Sequence, residues 1–155
     1  MKAKKFVSYL LMLTWAGYTY VVLELLFRQK SDITMLFCAS ICTIPMIFLN
    51  NVFTYKMSIL IQSVICAHLS TFIELIFGLI FNQDHHIWDY SSMMFNYKGQ
   101  ICLGFFLIWM GLSVPVIMFM DWLEYNIFCT TDQQPYYMLF GKVIYRMGVR
   151  KDGSC

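Results

Sequence analysis

The sequence predicts an all-α integral membrane protein with four transmembrane helices and an ordered outer loop between the third and fourth. Three observations carry that expectation. Hydrophobic residues make up 59% of the chain and charged residues only 13%, against about 25% charged in a typical soluble domain, so a polar shell cannot be built. The apolar surplus falls in four segments, Phe6–Phe27, Ile33–Leu49, Met57–Phe81 and Ile101–Met120, and a bilayer core takes roughly 20 helical residues, with about 17 as the lower limit. None of the four alternates in polarity. In hydrocarbon the backbone must satisfy its own hydrogen bonds, so they are helices rather than barrel strands. Residues 1–128 form one transmembrane domain, and 129–155 a short cytoplasmic or interfacial tail.

The first segment opens with Lys2, Lys4 and Lys5 before FVSYLLMLT, as a signal peptide would, and Thr14-Trp15-Ala16 is a weak cleavage match. The apolar run continues to Phe27, however, and a retained helix is expected. Thr14, Gly17, Val21, Glu24 and Arg28 share one face of it. Glu24 lies near the outer end, where Arg28, one turn on, can pair with it.

The second helix follows through the tight Arg28–Asp32 link, so the two are antiparallel neighbours. Pro45 interrupts its backbone hydrogen bonding. Cys38 and Cys42 share a face and could hold a soft metal, but no second pair or His partner stands beside them; packing is the better reading.

In the third helix, an ionisable group at mid-membrane costs about 2.5–3.5 kcal/mol on insertion scales, so Glu74 needs a reason. It lies about 12 Å below the outer end at Asn82. Ser63, Ala67, Thr71, Glu74, Gly78 and Asn82 form a polar, small-residue stripe that must face protein or water. Two readings stand. Either Glu74, with Glu24, Thr71 and Asn82, lines a cation or substrate path or a proton-coupled site, or Glu74 is a neutral or hydrogen-bonded packing group. His68 reads as a hydrogen-bonded packing residue. In the fourth helix Gln100, Gly104, Gly111 and Pro115 lie on one side and predict close helix approach there. The following DWLEYNIF is amphipathic and is expected to run along the inner interface.

With four crossings, one side holds Lys2, Lys4, Lys5, Lys56, Lys142, Arg146, Arg150 and Lys151, and the other Arg28, Lys30 and Lys98, which together are all 11 basic residues. The positive-inside rule then places both termini in the cytoplasm, with tail basics available to anionic head groups. The basic residues form no single patch, so no nucleic-acid partner is expected. The six cysteines do not suggest a disulfide framework, and Cys129 and Cys155 are expected as reduced cytoplasmic thiols. His85 and His86, with Asp84 and Asp89, lack metal-ligand spacing and read as a solvated loop. No HExxH, GxSxG or GxxxxGK[ST] pattern occurs, so neither an enzyme nor a cofactor or metal is expected.

The outer loop, HHIWDYSSMMFNYKGQICL from His85 to Leu103, interleaves Trp88, Tyr90, Phe95 and Tyr97 with Asp89, Asn96, Lys98 and Gln100. Trp88 and Tyr90 suit the head-group layer, all four aromatics are expected to pack down rather than face water, and Asp89, Ser91 and Ser92 suit backbone capping. An ordered cap over the outer mouth, near Glu74 and Asn82, follows. Sealing the bundle is favoured over ligand recognition.

The run IWDYSSMMFNYKGQICL resembles the W-D-Y-S…F-N…G-x-I-C-L signature of the small bacterial membrane proteins grouped as type IV, CmpB-like ABC-transporter permeases. Trp88, Asp89, Tyr90, Ser91, Phe95, Asn96, Gly99 and Gln100 carry the match. GYTYVVLELLFR resembles that family's first helix, with Gly17, Glu24 and Arg28 in place; ITMLF and Asn50 resemble its second, and IELIFGLIFN its third, with Glu74, Gly78 and Asn82. Trp109, DWLEYNIF and PYYMLF follow its C-terminal part. The chain departs from the pattern at Ala39-Ser40, where a Gly pair is expected, at Asn51 in place of an acid, at Met94 in place of Pro, and at Gly104-Phe105-Phe106.

The resemblance implies a multi-pass bacterial plasma-membrane protein with a transport role, as a permease-like subunit or accessory of unspecified substrate. An ABC permease docks a separate ATPase subunit through a cytoplasmic coupling element, yet the only internal cytoplasmic loop, Asn50–Lys56, is too short for one. Four helices are also few for a private path, so a homo-oligomer or a membrane partner within the lipid bilayer is expected. The alternatives are a non-transporting scaffold and a small channel or holin-like pore.

Overall fold

A computed structural model of the chain describes residues 2–150. Four long helices, α1 (Lys2–Arg28), α2 (Ile33–Phe53), α3 (Ile59–Phe81) and α4 (Leu103–Trp122), are followed by a π-helical stretch, Leu123–Ile127, and by strands β1 (Tyr136–Leu139) and β2 (Lys142–Arg146). All four helices are long and apolar enough to cross a membrane. The expected segments and these helices differ by a few residues at their ends.

Asp32 starts α2 by accepting the Thr34 N–H at 2.8 Å, satisfying one of the donors that a helix N-terminus leaves unpaired. Helix α2 stops where Thr54 turns to a φ of 58°. Helix α1 packs on α2, α2 on α3 and α4, and α3 most extensively on α4. Only 17% of the most apolar window of α1 is buried, against 50% for α2. Helix α1 is therefore the peripheral one, attached along its α2 face, where a Cβ on Gly17 would come within 2.7 Å of the Leu36 carbonyl oxygen.

The core joins Cys38, Cys42 and Met46 of α2 to Cys66 and Ala67 of α3 and to Trp109 and Ile117 of α4. Cys38 and Cys42 are buried free thiols in this packing. The outward faces carry Leu26, Phe27, Phe72 and Ile80, an apolar surface that hydrocarbon rather than water can cover.

Several sequence expectations are corrected. Gly111 has no neighbouring atom within 4 Å of where a Cβ would stand, and Gly104 only the Cys102 thiol at 3.8 Å; α4 instead turns Trp109, Ser113, Ile117 and Met120 inward. The reason is that the bulky Trp109 reaches α3, where its indole N–H meets Glu74, and joins the buried cluster that includes Ala67. DWLEYNIF does not run along the interface as a separate helix. It carries α4 onward, because Asp121 and Glu124 face inward and find partners there. The tail forms an antiparallel hairpin about Phe140-Gly141, both at positive φ as a two-residue hairpin turn requires. Cys129, expected as a reduced thiol, is disulfide-bonded; Lys151 and Cys155 lie outside the described residues.

Candidate functional site

The end of the bundle that carries the loop between α3 and α4 is tied together by side chains of all four helices. Asn82, fully buried just past the end of α3, holds both arms of the loop. Its amide nitrogen donates to the Trp88 carbonyl at 2.6 Å and to Gln100 Oε1 at 3.0 Å. Its Oδ1 accepts the Ile87 N–H at 2.8 Å. Gln100 returns a bond from Nε2 to the Asn82 carbonyl at 2.8 Å, and the Trp88 indole N–H donates to the Gln100 carbonyl at 2.9 Å. Gly78 is required beneath this knot, since a Cβ there would stand 2.9 Å from Gln100 Cδ.

Below the knot lies Glu74, 2% exposed. Its Oε1 accepts from the Tyr90 hydroxyl and its Oε2 from the Trp109 indole, each at 3.0 Å. Two neutral donors thus satisfy the carboxylate, one from the loop and one from α4. Burial and the neighbouring Glu74 carboxylate push the Tyr90 phenol well above its ordinary value. Tyr90 stacks on Phe105 with ring centroids 4.3 Å apart, and Trp88, Ile87, Met35 and Cys102 complete a small apolar cluster.

Helix α1 is clamped to the same loop. Arg28 pairs with Glu24 at 2.7 Å and donates a second bond to the Ile87 carbonyl, also at 2.7 Å. Ser31 donates to the other Glu24 oxygen at 2.7 Å.

Of the site residues expected from sequence, Glu24, Glu74 and Asn82 are buried and linked through the loop. Thr71 is not brought to Glu74. Its hydroxyl is buried without a hydrogen-bond partner, and Ser70, fully buried, takes the inward position instead. Within the loop motif, Asp89 accepts the Ser91 N–H at 2.8 Å, and this bonding holds its carboxyl below the usual range. Asn96 bonds the Ser91 and Met93 carbonyls and accepts the Gly99 N–H. Gly99 sits at φ +65°, where a side chain would also press on His85 and Asp89. Phe95 and Tyr97 are 75% and 52% exposed, against the expectation that all four loop aromatics pack down. They lie on the far limb of the loop, beyond the Asn82–Gln100 ties.

His85 bonds the Lys98 carbonyl and His86 bonds Asp84. No group of three metal-ligating residues occurs among the described residues. His68 bonds its own helix at Val64 and meets the Phe106 ring edge-on.

An apolar groove of about 220 Å³ opens sideways between α1, α2 and α4, lined by Trp15, Tyr20, Ala39, Thr43, Trp109 and Pro115 among others. Trp109 separates it from Glu74, with its ring on the groove and its N–H on the carboxylate.

A second polar centre, not anticipated from sequence, lies at the opposite end of the bundle. Asp121 Oδ2 accepts from Asn50 Nδ2 at 2.8 Å and from the Tyr137 hydroxyl at 2.7 Å. Asn51 Nδ2 lies 3.2 and 3.3 Å from the two oxygens of Glu124. The Tyr55 and Tyr137 phenols are pushed up, chiefly by burial and then by the charge of Asp121. The signal in the sequence was two adjacent amides closing α2 at the depth where two acids, three apart, close α4.

The family model described as "Putative ABC-transporter type IV" matches residues 37–149 of the chain. No curated protein and no solved structure matches it. The matched stretch takes in α3, the outer loop, α4 and the hairpin, and the chain belongs to this family.

Proposed function

We propose that this member of the type IV ABC-transporter family is a membrane-embedded subunit or accessory of a transport system, working in an assembly rather than as a lone permease. The observation that supports this most is the closed loop end. Asn82 and Gln100 spend their hydrogen bonds on each other and on the loop, and Glu74 on Tyr90 and Trp109, so among the described residues no polar track for a solute opens at this end within one chain. A path would then lie between chains.

The docking element for a separate ATPase would be the hairpin. It is joined to the α2–α3 turn by the Ser58–Met138 bridge and by Tyr55 packed on Tyr136 and Tyr137. It exposes Phe140 and Ile144 beside Lys142 and Arg146. On this reading the chain is not itself an enzyme, and the eight-to-three bias of basic residues supports a cytoplasmic hairpin end.

Cross-linking in intact membranes, followed by purification in mild detergent, tests the proposal. A homo-oligomer or a constant second chain is expected, together with solute flux only from the assembly. A monomer that carries flux by itself in vesicles would overturn it. A scaffold that moves nothing is the second reading, favoured by the same closed loop end, and absence of flux from the intact assembly would select it.

A further inference from the structure

The centre formed by Asp121 and Glu124 has a composition unlike the one at the loop end. Glu24 is matched by an arginine and a hydroxyl, and Glu74 by two neutral donors. Asp121 and Glu124 are 2% and 1% exposed, within a membrane-spanning segment. Neither forms an ion pair among the described residues. Lys5 acts on Glu124 only through space, and its own side chain is exposed. The other groups turned toward the pair are the hydroxyls of Tyr9, Tyr55 and Tyr137 and the amides of Asn50 and Asn51. Two buried carboxylates without a counter-charge are costly to hold in a membrane.

The second observation is independent of the acids. Asn50 is 4% exposed, and its carbonyl oxygen Oδ1 has no hydrogen-bond donor. Its orientation is not arbitrary. A carboxylate can only accept, so the Asn50 nitrogen must face Asp121, and the carbonyl oxygen of the same small amide is thereby held beside the carboxylate. Asn50 and Tyr137 both donate to Asp121 Oδ2, and the Tyr55 hydroxyl also bonds the Asp121 carboxyl. Asp121, near the end of α4, and Glu124, in the π-helical stretch that continues it, lie three apart and take the neighbouring amides Asn50 and Asn51 as partners. The result is a buried group of oxygen acceptors with formal negative charge. Hard cations are bound by such oxygens, whereas thiol or imidazole ligands, which select softer metals, are absent from the group.

We propose that this centre binds an alkali cation, sodium or potassium, through the carboxylates of Asp121 and Glu124 and the carbonyl oxygen of Asn50. The bound ion supplies the charge that the two acids lack. It also steadies the joint between the end of α2, the end of α4 and the hairpin, because Asp121 holds Tyr137. The site stands whether or not the chain works in a transport assembly.

The test uses the full chain in nanodiscs of neutral lipid, at fixed pH and ionic strength, with choline chloride replaced stepwise by sodium or potassium chloride. Thermal unfolding should rise saturably by several degrees with at least one of the two ions. Radiolabelled sodium or rubidium, the latter standing in for potassium, should bind at one ion per chain. Asp121→Asn and Glu124→Gln should each abolish both effects. Each should melt in choline at or above the wild type, since each removes an uncompensated charge while keeping the shape. Glu74→Gln should leave the ion response intact. If Asp121→Asn does not fold, Glu124→Gln decides alone. Identical melting in choline, sodium and potassium without ion binding would overturn the proposal. So would a melting temperature that follows pH but not the cation, which would make the bound species a proton shared by the two acids.

Discussion

Replacing Asn82 with alanine would test the knot at the loop end, because one side chain there serves four polar groups. The substitution removes the donor to the Trp88 carbonyl and to Gln100 Oε1, and the acceptor for the Ile87 N–H; the Trp88 N–H, at 3.4 Å, is held too weakly to count. A buried polar group deprived of its partner costs about 1–3 kcal/mol. Three such groups set the loss at roughly 3–6 kcal/mol, with the upper part reduced where the loop parts enough to admit water. The chain carries its own reporter. Cys38, Cys42, Cys66 and Cys102 are buried free thiols, so a dye that fluoresces on thiol addition follows unfolding in detergent. Asn82→Ala should melt well below the wild type, and external protease should cut the loop near Ser91–Phe95. Asn82→Asp, which keeps the acceptor but loses both donations, should melt between the two or below Asn82→Ala if its charge is not relieved. Melting of Asn82→Ala within a degree of wild type, with an intact loop, would show that these bonds hold nothing.

Glu74→Gln should fold and melt close to wild type, because the amide oxygen can accept from Trp109 while its nitrogen donates to the Tyr90 oxygen. Glu74→Leu should cost about 1–3 kcal/mol by stranding the indole N–H; equal losses from both variants would mean that the charge itself is needed. Asp32 is held below the ordinary carboxylate range by its bonds to Thr34, and Asp89 by those to Ser91. A carboxyl depressed in the folded state stabilises above its unfolded value and loses that contribution as pH falls, so stability should decline below about pH 4. Asp32→Ala should flatten that acid limb in a thermal-melt series, and an unchanged limb would remove Asp32 from the account. Single cysteines placed at positions 98 and 142 of a cysteine-free chain should label with an impermeant reagent at 98 only in intact cells. The reverse pattern would invert the topology.

The helices were legible because burial in hydrocarbon leaves few sequence solutions. Four apolar runs of membrane length were visible without reference to packing, and Glu24–Arg28 followed from helical spacing alone. Asn82 and Glu74 were recognisable as costly to bury, but their partners Gln100 and Trp109 lie 18 and 35 residues away, and no local pattern announces such pairs. Gly104 and Gly111 misled because a small residue permits close approach without requiring it. The acids of DWLEYNIF looked solvent-facing because their partners, Asn50 and Asn51, lie 71 and 73 residues earlier. The hairpin did carry a local signal, Phe-Gly between two β-branched or aromatic runs. It was obscured by the short and basic character of the tail.

The clamp of Arg28 on the Ile87 carbonyl spans 59 residues, and this imposes an order of events during synthesis. At about 5–20 residues per second, roughly 3–12 s separate the emergence of the two partners from the ribosome. Through that interval α2 and then α3 are still being made, and α1 has no loop to close over it. Glu24, four residues before Arg28 on the same helix, makes the wait tolerable. It neutralises the guanidinium before any distant partner exists, so the first two helices can insert early and the last two close the knot behind them.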